Sequence, residues 1–144
     1  WDYLDPFFAD TSQYFKSTFV DLNGKKPEQT APAKKNPNSY SKPIVALINS
    51  GVRSGKEALS YQLKKTKRAT LLGEPTMGAF AAGKGLFVDE NEDFILYLAV
   101  GEILLDGNQI ESHPIQPDIL VPFPMQNAPE ADPQLGAALK FLGN

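Results

Sequence analysis

Hydrophobic runs and polar breaks alternate along this chain in a way that predicts an α/β fold. Ile44–Ile48 is an unbroken apolar run rich in β-branched residues, and it predicts a short strand that is buried on both faces. The polar stretch 49–51 ends this strand, and a helix is predicted to begin near Ser54 and Glu57. The core-facing positions of that helix recur at helical spacing and are Ala58, Leu59, Gln62 and Leu63.

A second apolar run follows the predicted helix. Arg68–Glu74 is predicted to form another buried strand, which completes a βαβ unit with a right-handed crossover. Thr76–Gly85 is rich in small residues and has no hydrophobic period, so we expect a loop there. Small side chains would let its backbone approach a substrate strand, although plain flexibility explains them equally well.

Three further strand-like runs predict an antiparallel meander or a bent hairpin. They are Leu86–Val88, Phe94–Val100 and Glu102–Leu105. The acidic sequence DENED at 89–93 and the pair Asp106-Gly107 supply the turns that separate or end these runs.

The two ends of the chain have different patterns. Aromatic and leucine positions in residues 1–22 predict one or two short helices that pack on a core, and the Pro-rich segment 23–42 predicts a surface loop. Prolines in 109–122 predict an extended segment at a sheet edge. Asp132 and Pro133 are a typical helix start, so a terminal docking helix is predicted. Its apolar face would consist of Leu135, Ala138, Leu139 and Leu142.

Ser54 lies where a buried strand turns into a helix. This location offers backbone N–H groups and the positive end of a helix dipole, which suits a nucleophile. The spacing of Ser54 and Glu57 fits a capping box equally well, with each side chain satisfying a backbone N–H at the helix start. A phosphate-binding loop is disfavoured, because Ser50 replaces a required glycine and Glu57 replaces the hydroxyl that would bind magnesium.

Composition narrows the choice of function. The chain has 144 residues, no cysteine and a net charge of −3, so thiolate metal sites and a basic nucleic-acid surface are not expected. The one basic cluster, which runs from Lys64 to Arg68, is interpreted as the solvated end of a helix. No apolar run has the length of a membrane span. Because the sequence starts with Trp1 and enters an aromatic stretch directly, we expect residues 1–144 to be part of a longer polypeptide.

Four sequence blocks occur in a recognisable order between residues 43 and 142: PIVALINSGVRSGKEAL, RATLLGEPTMG, DGNQIESHPIQPDILVP and DPQLGAALKFL. Together they resemble the C-terminal half of the catalytic core of the C-terminal processing (tail-specific) peptidases and of the related tricorn core protease. The combination of GEPT with the later IxPDI is the most specific part. The resemblance implies a ClpP/crotonase-like α/β fold, present here as a partial catalytic core with a βαβ unit, antiparallel strands and a C-terminal helix. It also implies serine endopeptidase chemistry that needs no metal or organic cofactor.

The resemblance places the family's nucleophile at Ser54, the position that the strand-to-helix pattern also selects. One branch of the family uses a lysine just after GEPT as general base, but this chain has Ala79 at that position. Lys84, five residues further on, is the only substitute nearby in sequence. The tricorn-like branch uses a histidine from a more N-terminal region, supported by a glutamate that matches Glu111. Gly55 would then supply an oxyanion-hole N–H.

His113 is the single histidine of the chain. It occupies a position that the family pattern leaves free, so we do not assign it as the base. Strand alternation would nevertheless place it on the same edge as Glu111. Glu111 itself could instead be an exposed carboxylate on an edge strand.

Two other functions are compatible with the pattern. One is a non-catalytic module that binds a hydrophobic ligand or peptide, and the other is acyl-CoA chemistry on the same fold, which the GEPT and IxPDI motifs disfavour. For the peptidase we expect a polypeptide substrate, an N-terminal part of the same protein as a partner, and no nucleic acid; a homo-oligomer is left open. The resemblance implies an extracytoplasmic location. A partial domain should also expose apolar surface.

Overall fold

The computed structural model describes residues 1–24, 26–87, 91, 94–123 and 132–143. Its helices and strands in chain order are β1 (Ser17–Asp21), β2 (Glu28–Gln29), β3 (Val45–Ile48), α1 (Gly55–Lys65), β4 (Thr70–Gly73), β5 (Ala81–Phe87), β6 (Ile95–Leu105), β7 (Asn108–Gln109), β8 (Ile119–Leu120) and α2 (Pro133–Leu142). These strands form two sheets. One has the order β3-β4-β8 and is parallel, and the other has the order β2-β1-β6-β5, is antiparallel and has β7 paired to the end of β6.

The predicted βαβ unit is confirmed: β3 and β4 are parallel neighbours joined by α1, and Ala46 lies beside Leu71 in the register. The prediction that β3 is buried on both faces is wrong in part. Ile48 is buried, but Leu47 is 40% exposed. Because β3 is an edge strand of the described sheet, its outer side has no neighbouring strand there.

The core cluster of the described residues lies between α1 and the two sheets. Its buried members are Leu4, Phe8, Phe15, Ile48, Leu63, Ala69, Leu71, Phe80, Leu105, Ile110 and Ile115. The prediction that N-terminal aromatic residues pack on the core is therefore confirmed. The predicted helices are wrong in part, because this segment contains one 3-10 turn (Asp5–Phe7) and then β1. The β-branched residues Thr18 and Val20 suit a strand that pairs on both sides with β2 and β6.

Segment 23–42 is mostly exposed and also contributes β2. The guanidinium of Arg68 binds the C-terminal end of this segment and the chain well before it. It donates hydrogen bonds to the carbonyl oxygens of Phe7 (2.7 Å), Lys42 (3.1 Å) and Tyr40. Arg68, which lies between α1 and β4, therefore joins the C-terminal end of the segment to the chain at Phe7.

The predicted antiparallel pairing of β5 with β6 is confirmed, and β6 continues through Gly101 without a break. The predicted loop 76–85 is shorter than expected, because β5 already begins at Ala81. The two-residue turn Asp106-Gly107 joins β6 to β7 as predicted, with φ of 50° and 81°. Four of the five residues of the DENED turn lie outside the described residues.

The last part of the chain follows the prediction at β8 and at the start of α2, but not at residues 110–113. β8 pairs in parallel with β4 at the edge of the sheet, and Asp132 caps α2 by accepting the N–H groups of Gln134 and Leu135. Before β8, residues 110–113 form a turn instead of the predicted extended segment. The apolar face of α2 is largely uncovered: Ala138 is buried, whereas Leu135, Leu139 and Leu142 are exposed. Within the described ranges, no helix combines the length and apolar character needed to cross a bilayer.

Candidate active site

Ser54 closes a tight turn at the C-terminal end of β3. The side-chain oxygen of Asn49 accepts the N–H of Gly51 (2.8 Å), and the Asn49 carbonyl accepts the N–H of Val52 (2.9 Å). The chain then reverses into α1, whose first residue is Gly55. Because ligand sites in parallel α/β sheets gather at the C-terminal strand ends, this turn stands where such a site is expected.

The backbone of Ser54 is strained and its side chain is free. Its φ of 56° and ψ of −133° belong to a region that residues with a Cβ rarely adopt. Its hydroxyl caps no N–H of α1, and it forms no hydrogen bond within the described residues. Backbone strain of this kind beside an exposed hydroxyl is common at functional sites and is not needed for a helix cap. The capping-box interpretation is therefore wrong for Ser54.

Glu57 does not reach back to the helix start either. Its side chain is 0% exposed, and its carboxylate accepts three hydrogen bonds from the loop that follows β4. The donors are the Thr76 hydroxyl (2.6 Å), the Gly78 N–H (2.6 Å) and the Ala79 N–H (3.3 Å). A buried carboxylate needs such donors to offset its desolvation. Glu57 thus fixes loop 76–79 to the first turn of α1.

Backbone hydrogen bonds join the same loop directly to the turn that carries Ser54. The N–H of Met77 donates to the Val52 carbonyl (2.9 Å), and the N–H of Ser54 donates to the Ala79 carbonyl (2.8 Å). Gly78 has φ of 71°, and a Cβ placed on it would lie 3.0 Å from the ring of Pro114. Glycine therefore allows both this backbone conformation and the close approach of the segment that contains Pro114.

Glu111 lies beside this loop and is partly buried. Its Oε2 accepts the N–H of Phe80 (2.5 Å), and its other oxygen has no partner among the described residues. The N–H of Ser112 donates to the Gly78 carbonyl (2.7 Å), which holds the segment in place. Glu111 is therefore not the exposed edge-strand carboxylate that the sequence left open as an alternative.

His113 does not contact the Glu111 carboxylate. Ser112 has φ of 61° and turns the chain, so the alternation expected of an extended strand does not hold. The Nδ1 of His113 lies 2.8 Å from the backbone carbonyl of Glu111, and its ring is exposed. Lys84 lies on β5 beside Leu98 and is also exposed. Neither side chain is bonded to Ser54.

Gly55 is exposed at the start of α1. The N–H groups of a first helical turn have no acceptor within the helix, so the Gly55 N–H is available next to the Ser54 hydroxyl. Among the described residues, no group of three or more His, Cys, Asp and Glu side chains is arranged to hold a metal ion.

Sequence reasoning missed the part that Glu57, Thr76 and Gly78 play in building the site. Thr76 is buried, donates to Glu57 and accepts the N–H of Ile115 (2.8 Å). It connects α1, the loop after β4 and the segment before β8. Its only sequence indication is its place in GEPTMG, because spacing along the chain does not reveal a contact between residues 57 and 76.

The parallel sheet, its strand-turn-helix and the antiparallel sheet beside it define an α/β protein with a ClpP/crotonase-like fold. The sequence model of peptidase family S41 matches residues 8–121. The chain belongs to this family, and the relationship inferred from its motifs is confirmed.

Solved structures with the same fold include the photosystem II D1 C-terminal processing protease, with 20% identity and a TM-score of 0.61 over 99% of this chain and 34% of that one. A lipoprotein from Streptococcus agalactiae has 19% identity and a TM-score of 0.65 over 98% of this chain and 47% of that one. The tricorn protease has 20% identity and a TM-score of 0.52 over 81% of this chain and 12% of that one. The chain thus spans less than half the length of these proteins. A search of curated proteins found no match.

Proposed function

We propose that this chain carries the nucleophile of a serine-type endopeptidase of the tail-specific or tricorn-like kind. The observation that supports this most directly is the conformation of Ser54, which is strained, uncapped and exposed at the C-terminal edge of the parallel sheet. Membership of a peptidase family supports the same assignment. Strain of this kind persists only where surrounding contacts hold it, and such contacts are present on both sides of Ser54.

In the proposed mechanism, the Ser54 hydroxyl oxygen attacks the carbonyl carbon of the scissile peptide bond and gives its proton to a general base. The resulting oxyanion accepts the Gly55 N–H at the start of α1. When the C–N bond breaks, the base returns the proton to the leaving amine and an acyl-enzyme remains. Water then attacks the ester carbon and releases Ser54.

Glu111 is proposed to orient the base. One of its oxygens is fixed by the Phe80 N–H, and the other, which has no partner in the described part of the chain, can accept a hydrogen bond from an imidazole N–H. We assign the base to a histidine in an N-terminal part of the same protein. Support comes from the described residues, where neither His113 nor Lys84 is bonded to Ser54.

We further propose that residues 1–144 are the C-terminal portion of a catalytic domain and are inactive alone. The similar proteins are more than twice as long as the matched region. The distal half of the β5–β6 hairpin also exposes apolar side chains on both of its faces, which a complete domain would cover. They are Leu86, Phe94, Ile95, Leu96, Tyr97 and Leu98.

The remaining proposals concern the setting of this peptidase. Its partners are a polypeptide substrate and the N-terminal part of the same protein, with a homo-oligomer as an open option. An extracytoplasmic location (periplasmic, membrane-associated or secreted) is supported by the similarity to a structure described as a lipoprotein.

A non-catalytic binding module is the second candidate. Ala79 stands where one branch of the family has its lysine base, and the loss of that base is compatible with this alternative. The two candidates differ in one respect: a binding module needs no base near Ser54, so its serine should react no faster than an ordinary hydroxyl.

The test is labelling of the full-length protein with a fluorophosphonate probe. We expect labelling at Ser54, none in Ser54→Ala, and about 100-fold slower labelling in Glu111→Gln, because the base loses its charged partner. Glu102→Gln, which removes a half-buried carboxylate on β6, is the matched control and should label normally. A folded full-length protein that is not labelled at Ser54 would refute the peptidase assignment and favour the binding module.

A further inference from the structure

An open groove lies directly beside Ser54, on the opposite side of α1 from the buried Glu57. It is lined by Tyr3, Arg53, Ser54, Gly55, Lys56 and Leu59, and its volume is about 450 Å³. Most of its wall is apolar. A groove of this size that contains a reactive hydroxyl can receive side chains of a polypeptide next to the bond that is cut.

The charges around the groove are unusual for a helix start. Arg53 and Lys56 place two cations at the positive end of α1, where the helix dipole makes cations unfavourable. Neither side chain has a hydrogen-bonded or ionic partner among the described residues. The opposite end of α1 follows the ordinary rule, since Lys64 pairs with Asp118 (2.9 Å) and Lys65 with Asp106 (2.6 Å).

Among the residues that the structure describes, no carboxylate lines the groove. The acidic residue of the first helical turn is Glu57, whose carboxylate is buried and occupied by three donors. A local charge arrangement that opposes helix stability, without compensation nearby, is characteristic of functional sites. A negatively charged group on a bound ligand would compensate the two cations at the start of α1.

We propose that the groove is a substrate subsite for an apolar residue with a neighbouring Asp or Glu, both adjacent to the scissile bond. The apolar side chain packs on Leu59 and Tyr3, and the acidic side chain is attracted by Arg53 and Lys56. This inference rests on the proposed peptidase function and specifies its substrate class. Because the two cations are exposed, they contribute mainly to selection between substrates.

The test uses the full-length protein as enzyme and two pairs of peptides. In one pair Leu-Glu or Leu-Gln precedes the cleaved bond, and in the other pair it follows the cleaved bond. In one of the two pairs, we expect kcat/KM to be about fivefold higher for the Glu peptide than for the Gln peptide. This preference should shrink as salt is added. In the double variant Arg53→Gln/Lys56→Gln, the two peptides should be cleaved with kcat/KM values within about twofold of each other. Lys140→Gln removes an exposed cation on α2 and should keep the preference.

A second measurement does not depend on turnover. Binding of the same peptides to Ser54→Ala, followed by fluorescence anisotropy, should show the same order of affinity, and Arg53→Glu should reverse it in favour of a Leu-Lys peptide. Equal cleavage and equal binding of the Glu and Gln peptides would overturn the subsite assignment and leave the peptidase proposal intact. Failure of Ser54 to label, with the Glu peptide still bound more tightly, would remove the peptidase proposal and retain the groove as a peptide-binding site.

Discussion

Ser54 and Glu111 bind opposite ends of the same peptide unit. The carbonyl of Ala79 accepts the Ser54 N–H at 2.8 Å, and the N–H of Phe80, on the other side of that peptide bond, donates to the Glu111 carboxylate at 2.5 Å. Two residues that are 57 positions apart in sequence are thus connected through one rigid, planar group. The position of one therefore constrains the position of the other.

Substitutions at Ser54 distinguish a strained serine with an unbonded hydroxyl from a serine that caps α1. Ser54→Ala should change the free energy of unfolding by less than about 0.5 kcal/mol, because the hydroxyl has no partner to lose, whereas removal of a true cap costs about 1 kcal/mol. Ser54→Gly should stabilise the chain by about 1 kcal/mol, since relief of the strained φ exceeds the entropic cost of glycine. Urea denaturation measures both. Destabilisation of about 1 kcal/mol by Ser54→Ala would show that the hydroxyl does cap α1.

Loss of the negative charge at Glu57 should be costly. In Glu57→Gln, at least one of the buried donors from Thr76, Gly78 and Ala79 faces an amide N–H₂ instead of an oxygen. We expect a loss of about 2 kcal/mol in the free energy of unfolding. Glu28→Gln, which removes one partner of the exposed ion pair with Lys16, should cost less than about 0.5 kcal/mol. Equal losses of unfolding free energy in the two variants would mean that the hydrogen bonds of Glu57 to loop 76–79 do not stabilise the fold.

Asp106 makes stability depend on acid pH. Burial raises the pKa of this carboxyl, but hydrogen bonds from the Lys65 ammonium, the Lys16 N–H and the Tyr61 hydroxyl outweigh that effect, so the net pKa is lowered. A lowered pKa in the folded state means that the charged carboxylate stabilises the fold above the unfolded-state pKa of about 4. This contribution is lost as pH falls through the folded-state pKa.

Asp106→Asn should therefore lower the free energy of unfolding by about 1 kcal/mol at neutral pH, a figure reduced for partial exposure. The difference from the wild type should shrink below about pH 4. Asparagine tolerates the φ of 50° at this turn position, so the backbone is preserved. Asp2→Asn, an exposed substitution, is the control. A difference that stays constant down to strongly acid pH would exclude the electrostatic explanation.

The exposed apolar side chains of the β5–β6 hairpin should make the 144-residue chain self-associate. Ile95 and Tyr97 are 62% and 71% exposed on one side of β6, and neighbouring leucines are exposed on the other. We expect the chain to bind a hydrophobic dye and to self-associate in sedimentation experiments. The double variant Ile95→Lys/Tyr97→Lys should reduce both, whereas Leu22→Lys, at an isolated position that is 83% exposed, should not. A monodisperse wild-type monomer that binds no dye would contradict this prediction.

Local patterns predicted those parts of the fold that local physics determines. The β3-α1-β4 unit follows from two apolar runs around a helical period, the Asp106-Gly107 turn from its residue types, and the start of α2 from Asp132 and Pro133. The strand β1 was missed because Phe15, Phe19 and Leu22 suggested helical spacing. Pairing with β6, whose paired residues are 80 to 88 positions away, decided its conformation.

The sequence indicated candidate residues of the site, but not the hydrogen bonds that hold them together. The sequence indicated Ser54, Gly55 and Glu111, and these remain proposals as catalytic groups. It did not reveal that Glu57 binds loop 76–79, because the spacing of Ser54 and Glu57 is the same in a capping box. The turn at Ser112 was missed because the Ser112 N–H bonds to the carbonyl of Gly78, a residue 34 positions earlier that no local pattern identifies as its partner.

The three carbonyl groups bound by Arg68 have a consequence for the covalent chain. Phe7 precedes the exposed segment 23–42, Tyr40 lies near its end and Lys42 is its last residue, so their positions do not depend on an intact connection between them. A protease nick within this segment should leave the two pieces associated, and gel filtration after brief trypsin digestion should recover them together. New chain termini placed there, as in a circular permutant, should be tolerated for the same reason.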